Sequence, residues 1–300
     1  MPYTVVVTSF NSAETIKLVI KGVKELVPPP SQVILIDDAS DDGSANLISR
    51  LIVDEPEFFL YVNPQNRGQS YSRNLGAKLS LNEYIVFQDD DDISLPDRAS
   101  IHLGALDMGA DFSYVSSKKL YPNGYEIVNL NPELISSPSI NPDLIRFLSA
   151  GVKPQNGLRV FSPSSTLAVR KSCLEAVGGF SVDLRRLEDI ELACRALMKG
   201  AQLAWSREVG VERLHTLGGD KSPMANYSGE LAVLQTAKEF LSARQYFVAR
   251  RMISLRAAYF QRNLFAISLN FALVPLLLVI SPSKFYSIIR RIKHDLKQNQ

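Results

Sequence analysis

The sequence predicts an α/β protein: a mainly parallel central sheet flanked by helices, Rossmann-like in plan, with a C-terminal helical appendage. Three observations predict it. Short β-branched or apolar runs alternate with stretches of helical spacing through the first hundred residues. Three of those runs end in polar or acidic residues, at Ser9-Phe10-Asn11, Asp37-Asp38 and Asp89 to Asp92, and parallel sheets bind ligands outside the carboxyl ends of their strands. Charge is also divided along the chain. Residues 241–300 hold ten Lys/Arg against one acid, Asp295, a net of +9; of the 33 basic and 31 acidic residues in all, the first 240 therefore carry 23 and 30, a net of −7.

Thr4-Val5-Val6-Val7-Thr8 is a strand suited to burial on both faces. Asn11 or Ser12 can cap the helix that follows, with Ile16, Ile20, Val23 and Val27 on its apolar side and Pro28-Pro29-Pro30 ending it. Val33 to Ile36 is the second strand, and Leu47, Ile48, Leu51 and Ile52 mark the next helix. Phe58 to Val62 is the third strand, Ser72 to Leu79 a short helix, and Tyr84 to Phe87 the fourth strand. A helix is expected over 97–107 and a strand over 112–116, whereas 121–142 is rich in Pro, Asn and Ser and reads as loop. Gly178-Gly179 closes a helix carrying Cys173, Leu174 and Val177, and Leu187, Ile190, Cys194 and Leu197 form the stripe of another. Strand–helix alternation and the charge division set an α/β unit over 1–225 apart from a basic, apolar helical tail over 226–300.

Three hundred residues, 46% hydrophobic and 21% charged, describe a globular chain and exclude a disordered one. Two cysteines, Cys173 and Cys194, exclude a disulfide framework and fit a reducing compartment. No basic and apolar leader precedes Tyr3, so no secretory signal is expected and a cytoplasmic location is.

Four consecutive carboxylates at a strand end repel one another unless something positive sits there. Carboxylate oxygens are hard ligands that suit Mg²⁺ or Mn²⁺, usually through one or two acids plus substrate phosphates. Taken alone, 89–92 has a plainer explanation as a solvated acidic turn before a helix starting near Pro96. Glu188 and Asp189 likewise complement a helix dipole, and a lone His215 is most often structural.

The ordered set of segments changes that weighing. VVVTSFNSAETI at 5–16, VILIDDASDDGS at 33–44, NRG at 66–68, SRNLG at 72–76, FQDDDDISLPDR at 87–98, GGF at 178–180 and EDIELACRALMKG at 188–200 together resemble the inverting glycosyltransferases of family 2, with their A-type nucleotide-sugar-binding fold. The resemblance implies that Asp38 reads the base of a uridine nucleotide, with Thr8, Ser9 and Asn11 lining the same pocket and Arg73 close by. It implies that Asp89 and Asp90 lie near the ribose and diphosphate, and that Asp91 is the metal ligand, with Asp89 as a second and the four-acid run ambiguous by one residue. Asp189 matches the general base, with Glu188 in the same turn as the alternative, and His215 matches a closing-loop residue near metal and diphosphate.

The resemblance thus implies a nucleotide-sugar donor, Mg²⁺ or Mn²⁺, and a saccharide or lipid-linked acceptor. No Q/R-x-x-R-W element follows residue 189, which argues for transfer of a single sugar. A sugar nucleotidyltransferase would want a Gly-rich basic loop after the first strand, where this chain has SFNSAET; a non-catalytic relative would not need Asp38, Asp91 and Asp189 together.

In the tail, 264–280 is the most apolar stretch, but 17 residues reach about 25 Å, short of a hydrocarbon core of about 30 Å. Phe285, Ile288, Ile289, Ile292 and Leu296 line one side of 284–297, with Lys284, Arg290, Arg291, Lys293 and Lys297 elsewhere. That pattern suits an interfacial helix on anionic lipid at the inner face of the cytoplasmic membrane, through 264–297, or a hairpin packed on the catalytic unit. Nucleic acid is not expected, since no binding motif accompanies the charge.

Overall fold

The computed structural model describes residues 1–121, 124, 126–135, 163–214 and 223–260. His215 and the 264–297 stretch lie outside the described residues.

The chain begins with β1 (Tyr3–Ser9), α1 (Ile16–Lys24), β2 (Gln32–Asp37), α2 (Ser44–Leu51), β3 (Phe58–Val62), α3 (Gln69–Leu79) and β4 (Tyr84–Asp89). These strands are parallel in the order β3-β2-β1-β4. Every residue of β1 and β2 is buried, because helices cover both faces. Alternation sorts the side chains: Val5, Val7, Val33, Leu35 and Val86 meet Ile16, Val19 and Val23 of α1, while Val6, Ile85 and Phe87 face the opposite core with Ala77 of α3.

Beyond β4 come β5 (Asp92–Ser94), α4 (Arg98–Asp107), β6 (Phe112–Leu120), β7 (Glu126–Asn129), β8 (Leu134–Ile135), β9 (Leu167–Arg170), α5 (Lys171–Val177), α6 (Glu188–Met198), β10 (Leu203–Arg213), α7 (Pro223–Thr236) and α8 (Ala243–Phe260). The sheet continues β4-β9-β6-β10-β5, with β7 on β6 and β8 on β10. Only β6 and β10 run parallel here; β9 enters antiparallel between β4 and β6. The α/β architecture and its parallel first half are as the sequence predicts, and the second half makes the sheet mixed.

Two local expectations change, and one strand is unforeseen. Residues 92–94, to which the sequence assigned no element, pair antiparallel with Val211–Arg213, and Asp92 is 1% exposed. The 121–142 stretch is not all loop, since 126–129 and 134–135 pair with neighbouring strands. The first helix has no side-chain cap; the Asn11 and Ser12 amides bond instead to Ser40, in the loop after β2, and to Ser44, the first residue of α2.

After β10, Leu234, Leu241, Ala249 and Ile253 of the α7–α8 pair form a core of their own, and Ala237 joins the main one. Gly229 of α7 presses on the turn before α6: a methyl group there would stand 2.2 Å from the Arg186 carbonyl oxygen. Among the described residues no helix is long and apolar enough to cross a membrane.

Candidate active site

The parallel strand ends are stitched to one another. The Ser9 carbonyl accepts from the Asp38 amide at 2.8 Å, and the Ser9 hydroxyl meets that of Ser12 at 2.7 Å. Asn11, at a positive φ of 52°, accepts from the Asp41 amide through Oδ1. Thr8 is buried one residue before the strand end. Asp38 itself is 4% exposed, and its carboxylate accepts from Asn63 Nδ2 at 2.7 Å and from the amides of Arg67 and Gly68 at 2.9 and 2.7 Å. Gly68 sits at φ 88°, where a side chain would be strained. Asp38 therefore shapes the Asn66-Arg67-Gly68 loop; with up to four lone-pair sites, its two oxygens have room for one further donor.

The four acids after β4 differ in what they do. Asp90 Oδ2 accepts from the Phe10 amide at 2.7 Å, tying this turn to the end of β1. Burial pushes the Asp90 carboxyl up to about 7, opposed by that amide and reinforced by Asp91 and Asp89. Asp92 is also pushed to about 7 by burial, against the charge of Arg213, whose Nε lies 3.4 Å away. By exposure Asp89, Asp90 and Asp91 are all half-buried; Asp92 is fully buried, and the Phe10 bond is what distinguishes Asp90 from Asp89 and Asp91. The backbone is held just as firmly: carbonyls 89 and 92 accept from Gln88, carbonyl 90 from Thr15 and carbonyl 91 from the Leu214 amide.

Arg73, on α3, is 1% exposed and joins the two acidic groups. Its guanidinium donates to Asp89 at 2.7 Å, Glu188 at 2.9 Å and Gln69 at 2.7 Å, and lies 5.4 Å from the Phe180 ring. Burial alone would weaken its hold on the proton, but Asp89 and Glu188 outweigh it and keep the group cationic. Arg73 thus holds acids rather than standing open to a ligand. Glu188 is absorbed by this bond.

Asp189, the next residue of α6, is half-buried. Burial first, then the charge of Glu188, raise its carboxyl to about 7; the Ile190 amide and Arg73 pull the other way. The preceding Leu187 is left-handed at φ 63°, a backbone state that a non-glycine side chain adopts at a cost. Below, Tyr114 and Trp205 stack with centroids 5.7 Å apart.

Asp38, Asp89, Asp90 and Asp91 thus gather at neighbouring strand ends, with Asp189 linked to Asp89 through Glu188 and Arg73. Among the described residues, no three His, Cys, Asp or Glu side chains form a ready-made metal cage. Mg²⁺ and Mn²⁺ do not need one, because one or two carboxylates plus diphosphate and water complete their shell. Asp89 and Asp91, half-buried hard-oxygen donors on a fastened backbone, fit that requirement.

The sequence reading missed the clamps around these acids. Gln88 could have been noticed as a polar residue inside an apolar strand, but the bond of Arg73 to Glu188 crosses 115 positions and has no local signature.

Residues 4–171 match the family profile described as Glycosyl transferase family 2. The O-antigen chain rhamnosyltransferase WbaN of Salmonella anatum is 27% identical over 192 residues, 62% of this chain and 57% of that protein. The chain spans between 54% and 62% of the length of three curated relatives that it matches over 184 to 202 residues. Among solved structures, S. aureus TarS 1-349 in complex with UDP-GlcNAc superposes with a TM-score of 0.62 at 17% identity, covering 93% of this chain and 79% of that one. Mannosyltransferase PcManGT from Pyrobaculum calidifontis, in complex with GDP-Man and Mn²⁺, gives a TM-score of 0.59 at 17% identity, covering 96% and 84%. The profile match spans more than half the chain, and the chain belongs to glycosyl transferase family 2.

Proposed function

We propose that this protein is an inverting glycosyltransferase that moves one sugar from a nucleoside-diphosphate donor, a UDP-sugar by preference, to a saccharide or lipid-linked acceptor. One observation carries the reading. A single buried guanidinium, Arg73, bonds both an acid of the strand-end cluster and an acid of the α6 turn, which sets a leaving-group site beside a separate carboxylate suited to proton abstraction.

Asp189 is assigned as the base: it takes the acceptor hydroxyl proton as that oxygen attacks the anomeric carbon, from the face opposite the departing diphosphate. A carboxyl raised to about 7 is well matched to that task near neutral pH. Glu188, held by Arg73, keeps the second charge of the turn away from the acceptor. Asp89 and Asp91 would hold Mg²⁺ or Mn²⁺, which supplies charge stabilisation to the leaving diphosphate. Asp38, Thr8, Ser9 and Asn11 form the nucleoside side, and Asp90 fixes the loop between the two.

The test is Asp189→Asn. Calorimetric binding of UDP with Mn²⁺ should be unchanged, while transfer falls about a hundredfold to ten-thousandfold, the usual contribution of a general base. Wild-type turnover in this variant would place the base elsewhere. Basic and apolar residues in 264–297 further support attachment to an anionic membrane surface. Flotation with anionic liposomes should then weaken on removal of residues 264–300, and equal partitioning would retire the idea.

A further inference from the structure

Gln88 stands where β4 should carry an apolar residue. Val86, two residues earlier on the same face, lies in the core with Val5 and Leu103, and Gln88 itself is 1% exposed. Its amide is saturated. Nε2 donates to the Asp89 carbonyl at 2.9 Å and to the Asp92 carbonyl at 2.5 Å, while Oε1 accepts from Arg98 Nη1 and from Ser94 Oγ, both at 2.6 Å. Because Arg98 can only donate, the oxygen must face it, and the amide nitrogen must face the turn. Arg98 is 0% exposed and fixed in turn: Nη2 donates to the Phe87 carbonyl at 2.6 Å and Nη1 also to Ser94 Oγ at 2.9 Å. Burial lowers it to about 10, against the attraction of Asp92 and Asp89, so it remains charged at neutral pH. His102 backs it at 3.4 Å, kept neutral by burial and by the Arg98 charge.

We infer that Gln88, oriented by Arg98 and Ser94, is the positioning residue of the 89–92 turn: its amide spans the turn as a strut and sets the spacing at which Asp89 and Asp91 meet a divalent cation carrying a nucleoside diphosphate. This rests on the metal-and-diphosphate reading given under Proposed function. Four adjacent carboxylates repel one another and would splay a free loop. The strut joins the first and last carbonyls of the run from inside the sheet, and the Arg98 charge beneath lowers the repulsion. Neither residue touches substrate. Their effect is expected in cation affinity rather than in the nucleoside pocket, which is built from β1 and β2.

The experiment uses the full chain and measures UDP affinity by calorimetry in EDTA and across a Mn²⁺ titration, with Gln88→Met and Ser94→Ala beside wild type. Gln88→Met keeps the length and loses both strut bonds. Its UDP affinity in EDTA should stay within about twofold of wild type, while the Mn²⁺ concentration giving half the affinity gain rises about tenfold or more and excess Mn²⁺ restores binding; a group of this kind typically accounts for ten- to hundredfold in metal affinity. Ser94→Ala, which removes one of the two donors orienting the amide, should move the same midpoint by about two- to fivefold. A folded Gln88→Met protein with the wild-type midpoint overturns the inference. If that variant does not fold, an unshifted Ser94→Ala midpoint overturns it instead. Wild-type protein in which Mn²⁺ adds nothing to UDP or GDP binding would overturn the functional reading itself, and the strut's role with it.

Discussion

The two acidic turns of this protein are built in opposite ways. The 89–92 turn is fastened from three directions, by Gln88 from within its own strand, by Phe10 and Thr15 from the loop after β1, and by Leu214 from the end of β10. Among the described residues the 187–189 turn has few outside hydrogen bonds. It begins a helix from a left-handed leucine, leans on Gly229 of α7, and among those residues is tied across the site by Arg73 to Glu188. The difference follows from electrostatics. Four crowded carboxyl groups need an external frame to hold one geometry, whereas one carboxylate beside an already-paired neighbour can be placed by helix packing alone. On the proposed reading it also separates the tasks: a leaving-group site wants fixed oxygen spacing, and a base wants a raised pKa, which burial supplies.

The harshest way to break the comparison is to remove what joins its two sides. Arg73→Met leaves the half-buried Asp89 and Glu188 without the buried cation they share, and deleting one partner of a fully buried pair costs about 3–5 kcal/mol, an upper bound for this one. Denaturant unfolding should show that loss, and transfer should disappear. Arg73→Lys should retain the charge, yet it cannot reproduce the fork to three acceptors and should recover only part of the stability.

A milder probe is pH. Asp189 rises from an ordinary 3.8 to about 7 in the folded protein. Transfer should therefore increase with pH through about 7, as the base loses its proton. Stability moves the other way. Between about 4 and 7 the unfolded chain has released this proton while the folded one retains it, so the contribution of Asp189 becomes increasingly unfavourable with rising pH and is constant above 7. Asp189→Asn should thus be more heat-stable than wild type at pH 8 by a margin that shrinks towards pH 4; a constant margin would contradict the burial of this carboxyl.

The smallest effect is expected from Leu187→Gly. Relief of the left-handed strain, about 1 kcal/mol, is offset by the added freedom of glycine in the unfolded chain. Melting should hardly move, and turnover should fall a few-fold as the start of α6 loosens. A large stability change there would mean that the turn is fastened more like 89–92 than its hydrogen bonds indicate.

How much of this could be read beforehand depended on range. Val5 to Val7 and Val33 to Ile36 announce doubly covered strands by composition, and Phe58 to Val62 was legible to the residue. Asp92-Ile93-Ser94 was not, because a three-residue strand with a charged end looks like turn until β10 arrives to pair with it from residues 211–213. Glu126–Asn129, an outer strand with exposed side chains, has no apolar alternation to reveal it. The acids of the candidate site were visible as residue types next to apolar runs. Their inequality was not: nothing local says that Asp90 would turn to Phe10 and Asp92 would be buried, leaving Asp89 and Asp91 half-open.

Gly229 carries no functional group and belongs to a helix far along the chain from the acids. Yet the 2.2 Å clearance to the Arg186 carbonyl leaves no room for even alanine unless the α7 helix or the turn before Asp189 shifts. In a saturation-mutagenesis screen scored by activity, position 229 should therefore look like part of the catalytic apparatus, intolerant of every replacement, although glycine has no side chain to offer the chemistry.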